Sequence, residues 1–193
     1  MDYRSIFISS IALLLSATTA WLTLLRRGRL EMTRPNILAF AFDGPEGPPK
    51  IFLRSLLFST SRRGQVVEGM YLTLLKDETR FTFSDWAYGE SQIVFGSGVH
   101  VPYEGFVSYY HFLLPRSQKR FKYTQGQYSI EVYARTIHKR SARLLFKANL
   151  SINQNDAEIL NEGRHIIFTW DPMNQSYVIS EKAPKAFEVL FEV

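Results

Sequence analysis

No cysteine occurs among the 193 residues of the chain. That absence removes disulfide staples, thiolate nucleophiles, cysteine-ligated zinc and iron–sulfur clusters together. Glycine and proline are sparse, at 11 and 8 residues, which excludes collagen-like and low-complexity chains. Charged residues make up only 21%, against 46% apolar and 15% aromatic, so the chain is not a disordered polyelectrolyte and has the side chains to bury a core. At this length one domain, with or without an appendage, is the default.

The formal net charge is +5, from 23 basic and 18 acidic residues, with a pI near 9.5. Such a balance raises nucleic acid as a partner until the charge is located. Residues 1–34 hold Arg4, Arg26, Arg27, Arg29 and Arg34 against Asp2 and Glu31, a net of +3, and the other 159 residues carry +2. A duplex binder gains its affinity from several phosphate contacts on one face. A nearly neutral body lacks that surplus, and no nucleic-acid partner is expected.

Ile6 to Leu25 is an uncharged run of twenty residues, 14 apolar and six Ser or Thr. At about 1.5 Å per residue a helix of this length reaches about 30 Å, the thickness of a bilayer's hydrocarbon core. The run therefore predicts a single spanning helix, flanked by Arg4 on one side and by Trp21, Arg26, Arg27 and Arg29 on the other. A cleaved signal peptide is the rival, with Thr18-Thr19-Ala20 as a loose cleavage site. Against it, the apolar run continues through Trp21, Leu22, Leu24 and Leu25, and the positive cluster follows the run instead of preceding it. Counting arginines on the two flanks puts the C-terminal body on the cytoplasmic side. Ala12, Ser16 and Ala20 recur every fourth residue, a small-residue stripe along which two helices can approach as a homodimer. Asn149-Leu150-Ser151 and Asn174-Gln175-Ser176 match the N-glycosylation pattern, which matters only in a eukaryotic secretory lumen.

After Pro35 the pattern turns to alternation. Tyr128, Ile130, Val132 and Ala134 share one face of a strand, and Leu144, Phe146, Ala148, Leu150 and Ile152 share one face of a second, neighbouring strand. Further strand-like runs are Ile37–Phe42, Ile51–Phe58, Val66–Leu75, Arg80–Trp86, Gly105–Leu114, His165–Trp170 and Ser176–Ser180, with weaker ones near Ile93 and over Ala186–Val193. Turn signals separate them at residues 43–49, 61–64, 96–98 and 171–174. Only Asn155–Glu162 suits a helix. Nine to eleven short strands with almost no helix predict an all-β, antiparallel β-sandwich. Residues 1–34 then form the anchor and basic juxtamembrane segment, and residues 35–193 the sandwich.

Gly126-Gln127-Tyr128, followed by Ile130 and Val132, resembles the opening of strand F in immunoglobulin-like and fibronectin-type sandwiches. The resemblance implies that the Tyr128 hydroxyl makes a corner hydrogen bond. It covers about eight residues and transfers architecture, not function.

Motifs for chemistry are few. His100, His111, His138 and His165 show no metal-ligand spacing, and His111, between Tyr110 and Phe112, reads as a half-buried structural residue. Gly96-Ser97-Gly98 lacks the spacing and context of a nucleophile elbow, and neither a Walker A loop nor a dinucleotide fingerprint is present. Asp43 and Glu46 are too few for a calcium site. Asp85 and Glu90 allow a paired-carboxylate site only if the fold sets their separation. No cofactor, metal or catalytic residue is assigned. Two basic stretches are candidate contact surfaces for anionic lipid: Arg116, Lys119, Arg120 and Lys122, interleaved with Phe121 and Tyr123, and Lys139, Arg140 and Arg143, running on to Lys147. In the aromatic run Tyr103, Phe106, Tyr109, Tyr110 and Phe112, Tyr109 falls opposite the face shared by Phe106, Tyr110 and Phe112, so one face is core and the other is an exposed patch or lies covered.

The resulting expectation is a single-pass membrane protein whose immunoglobulin-like sandwich is a noncatalytic protein-interaction module at the membrane surface, with a protein partner still to be found. The alternatives are a membrane-tethered hydrolase, with a site assembled from Asp85, Glu90, His100, His111 and His165, and a domain that binds lipid headgroups.

Overall fold

The uncharged N-terminal run is helical in the computed structural model of the chain. Helix α1 (Tyr3–Ala20) continues into a wider π-type turn over Trp21–Leu25. The structure describes residues 3–25, 28–43, 47–89, 93–96, 98–118 and 121–180. Within the helix the hydroxyls of Ser10, Thr19 and Thr23 donate to the carbonyls of Ile6, Leu15 and Thr19 at 2.7–2.9 Å, so these three of the run's six hydroxyls are satisfied locally. No residue of α1 is buried against the body, and Tyr3–Thr23, at a mean hydropathy of 1.8, is long and apolar enough to cross a membrane.

The body is a β-sandwich-like pair of antiparallel sheets with thirteen strands among the described residues. In chain order these are β1 (Leu30–Met32), β2 (Ile37–Phe42), β3 (Pro49–Ser59), β4 (Gln65–Lys76), β5 (Thr79–Phe83), β6 (Asp85–Gly89), β7 (Val94–Phe95), β8 (Val99–Val101), β9 (Phe106–Leu113), β10 (Gly126–Thr136), β11 (Arg143–Ile152), β12 (Ile166–Asp171) and β13 (Ser176–Ser180). The larger sheet runs β13-β12-β2-β3-β9-β6-β7 with β1 added on β3, and the smaller runs β11-β10-β4-β5 with β8 added on β4. Short helix α2 (Gln154–Asn161) links β11 to β12. Asn153 and Asp156 cap it reciprocally, at 2.9 and 3.2 Å, and it drops Ala157 and Leu160 into the core. The strand expected over Ala186–Val193 lies outside the described residues.

The count exceeds the nine to eleven expected for two local reasons. Three-residue pieces such as β1 and β8 are too short to show alternation. The run Arg80–Trp86 also divides at Ser84, where β5 pairs with β4 in one sheet and β6 with β9 in the other. Phe83 and Trp86, three residues apart, are both buried in the core, which an unbroken strand of period two does not allow.

Leu38, Phe40, Ile51, Leu53, Tyr110 and Phe112 from the larger sheet meet Leu72, Leu74, Ile130 and Val132 from the smaller, all fully buried. The β10–β11 hairpin forms as the alternation predicts, except at one point. Its register shifts between Val132 and Tyr133, and this bulge reverses the facing of the first residues of β11. Leu144, expected on the core face, is 42% exposed, and Leu145 packs on the core instead. At the other end of β10 the Tyr128 hydroxyl donates to the Thr124 carbonyl at 2.8 Å and accepts from the Thr124 N–H at 3.0 Å. That is the corner hydrogen bond implied by the strand-F resemblance.

Candidate functional site at the helix-proximal end

Gly28 packs the chain that follows the helix onto the body. A Cβ on Gly28 would lie 2.4 Å from the Ser61 backbone nitrogen, so only glycine lets the chain lie against the turn after β3. The Gly28 carbonyl accepts from Gln65 Nε2 at 3.1 Å. Next, the Arg29 N–H donates to Thr60 Oγ1 at 2.7 Å and its carbonyl accepts from the Thr60 N–H at 2.9 Å. Then β1 pairs with β3 from Leu30–Ser59 to Met32–Leu57. Two residues, Arg26 and Arg27, separate Leu25 from Gly28, a reach of about 11 Å at full extension. The structure does not describe those two arginines.

Strand directions identify what else lies at this end. β3 and β10 run toward it, β4, β9 and β11 run away from it, and β8 reaches it at Val101, opposite Gln65. The connections at residues 60–64, 102–105 and 137–142 therefore lie at the same end as Gly28. Lys139, Ser141 and Arg143 share a small crevice with Gly28 and Arg29, and Arg143 approaches Glu31 at 3.9 Å. Beside it, Arg63, Gly64, Gln65, Val66, His100 and His138 line a cleft of about 170 Å³. Arg62, Arg63, Lys139 and Arg140 are exposed and make no ion pair among the described residues.

The two basic stretches singled out in the sequence thus lie at opposite ends. Lys139, Arg140 and Arg143 stand by the helix junction. Arg116 and Lys122 lie at the far end, beyond Leu113 of β9, and Lys119 and Arg120 fall outside the described residues. The aromatics interleaved there are core anchors: Phe121 and Tyr123 are buried, and Tyr123 packs against Phe40 and Phe42. Lys147 is engaged separately, donating to Glu131 at 2.8 Å. In the sequence Ser61–Gly64 shows only a turn signal, and His100 and His138 share no metal-ligand spacing. The paired arginines were visible, but their place beside the helix was not. Arg4 lies in the first turn of α1, Trp21 is exposed at its far end, and Ala12, Ser16 and Ala20 are exposed along it.

The groups considered for chemistry are dispersed. Asp85 is exposed at the far-end start of β6, Glu90 is not described, and His165 precedes β12, also at the far end. His100 stands at the helix-proximal end. Asp43 pairs with Lys50 at 3.4 Å, and Glu46 is not described. His111 is fully rather than half buried, at 1% exposure, with its ring stacked on Phe52 at 5.5 Å. It lies on the face of the larger sheet away from the core, beside Phe52, and neither ring nitrogen has a hydrogen-bond partner among the described residues. Burial, followed by the Lys50 charge, lowers its pKa from 6.5 to about 4, so it is a neutral packed ring. Glu131 is the other perturbed group of note. Hydrogen bonds from Lys147 and Tyr133 hold its carboxyl below the usual range.

In comparisons with protein families, curated proteins and solved structures, nothing matches this chain.

Proposed function

We propose that the chain is a single-pass membrane protein whose immunoglobulin-like sandwich is a noncatalytic interaction module held flush with the bilayer on its cytoplasmic side. The observation that carries this is the junction: Gly28 and Arg29 are clamped to Thr60, Ser61 and Gln65 within two residues of the helix end. A domain joined to the helix through only two residues stays next to the bilayer, so it meets other membrane-bound chains at high effective concentration. The Tyr128 corner and the paired antiparallel sheets support the immunoglobulin-like assignment. The scatter of Asp85, His100, His111 and His165 over both ends and the middle of the body supports binding over hydrolysis. A contact edge is available at β7, the outermost strand of the larger sheet, where Val94 and Phe95 are 46% and 72% exposed.

The test is crosslinking in intact membranes from a photoreactive residue at Phe95, followed by capture of the full chain. A reproducible partner of defined mass, absent when the crosslinker is moved to Asn149, is the expected result. Only self-adducts, or the same products from both positions, overturn the module. Orientation is read separately with Asn174→Cys, the only thiol in that variant: labelling by an impermeant maleimide only after lysis agrees with a cytoplasmic body, and labelling of intact cells refutes it.

A further inference from the structure

The helix-proximal end gathers exposed basic side chains from separate parts of the chain, with Glu104 the exposed carboxylate of its 102–105 connection. Arg62 and Arg63 follow β3, His100 lies in β8, and His138, Lys139 and Arg140 follow β10. Gly64 draws them together. Its backbone is left-handed at φ +66°, and a Cβ there would sit 2.8 Å from the Val101 carbonyl and 3.0 Å from His100 Nε2. Glycine thus lets the turn close onto β8 and leaves a cleft with one guanidinium and two imidazoles on its wall. Among the described residues no carboxylate lines that cleft, and Glu31, at the same end, pairs with Arg143.

We propose that this end binds the phosphate groups of anionic lipid headgroups, with one phosphate held in the cleft by Arg63, His100 and His138 and others met by Arg62, Lys139 and Arg140. The chemistry is that of an oxyanion: guanidinium N–H groups match phosphate oxygens in pairs, and each imidazole contributes a ring N–H donor. A single water needs about 10–15 Å³ of such space, so a cleft of about 170 Å³ admits a polyatomic anion. Tyr103 and Ile137, 53% and 54% exposed at the same end, suit the interface between headgroups and acyl chains. The junction at Gly28 selects lipid over free phosphate as the source, because it holds the cleft beside the helix end. This inference rests on the anchored reading above, and it names what the membrane-facing surface takes.

Native mass spectrometry of the full chain, purified in mild detergent with equal phosphatidylglycerol and phosphatidylcholine, reads the site directly. The expected result is preferential retention of phosphatidylglycerol, reduced about fivefold by Arg63→Ala and abolished by Arg63→Ala/His100→Ala/His138→Ala. Arg116→Ala/Lys122→Ala, at the far end, leaves the preference unchanged. All these side chains are exposed or at loop positions, and unaltered thermal unfolding checks that the variants fold. Equal retention of the two lipids, or a preference the triple variant keeps, overturns the site. Inorganic phosphate binding as tightly as phosphatidylglycerol overturns the lipid assignment. Alkaline carbonate extraction separates the two claims: release of the wild-type chain from membranes refutes the anchor and the site together, whereas loss of lipid preference in a carbonate-resistant chain refutes the site alone.

Discussion

At the helix-proximal end, Arg62, Arg63, Lys139 and Arg140 stand exposed around a glycine-tight junction. At the far end, Arg116 and Lys122 border Phe121 and Tyr123, whose rings are buried. There Asn161 grips the Tyr123 backbone from both sides, accepting from its N–H at 3.0 Å and donating to its carbonyl at 2.8 Å. Lys76 is used up on Thr124 and Gln125, and the Tyr128 corner closes the rest. The far end spends its polar groups on fixing loops to the core, while at the near end Arg62, Arg63, Lys139 and Arg140 make no ion pair among the described residues. A run of basic and aromatic residues is therefore not evidence of a binding surface until the aromatics are known to be outside.

The sharpest way to break this contrast is to remove the far end's anchor. Tyr123→Ala empties a fully buried aromatic site and should lower stability by about 3–5 kcal/mol in thermal or denaturant unfolding, while Arg140→Ala at the near end changes it by no more than about 0.5 kcal/mol. A small loss for Tyr123→Ala would mean that the far-end loop is not held by its rings.

Acidification should act on neither end but on the sheet between them. The pKa of His111 is lowered in the folded state, to about 4 from 6.5, so between those values the unfolded chain binds the extra proton. Stability from this group is complete above about pH 6.5 and is lost as pH falls toward 4, by about 3 kcal/mol at most. Glu131, also lowered, adds a loss of the same sign at lower pH, since its stabilisation is present above the ordinary carboxylate range and disappears as pH falls through its folded value. Measuring unfolding at pH 7 and pH 5 for the wild type and His111→Phe tests this, with a flatter profile expected for the variant.

At the junction, Gly28→Val forces a side chain into the Ser61 backbone and should cost about 1–3 kcal/mol locally. The readout is faster trypsin cleavage at residues 26–29 with the thermal midpoint of the body little changed. Unaltered cleavage would show that the clamp is not needed to seat the helix. The smallest expected effect is Tyr128→Phe, which loses the corner hydrogen bond and should cost about 1–1.5 kcal/mol without altering lipid retention.

Legibility in the sequence followed how local each feature's cause is. The uncharged run at 6–25 and the alternation at 127–135 are visible because helix and strand periods act over neighbouring residues. The Tyr128 corner needs only four residues of chain. By contrast, the misplacement of Leu144 comes from a bulge at Leu145 of β11, which only the register of that strand against β10 reveals. The division of Arg80–Trp86 comes from two different partners in two different sheets, the adjacent β4 and the distant β9, where Trp86 faces Phe112. His111 looked half-buried because its strand neighbours suggest one covered face, and both faces are covered.

By itself, the sequence determined an apolar N-terminal helix, an all-β body and the absence of cysteine chemistry, since composition and short-range periodicity suffice for each. The tertiary structure decided which basic residues share a surface. Arg63, His100 and His138 lie some 37 positions apart in sequence, and only strand direction and register bring them to one cleft. Charge acts through distance in space, and distance in space is fixed by pairing that no local pattern encodes.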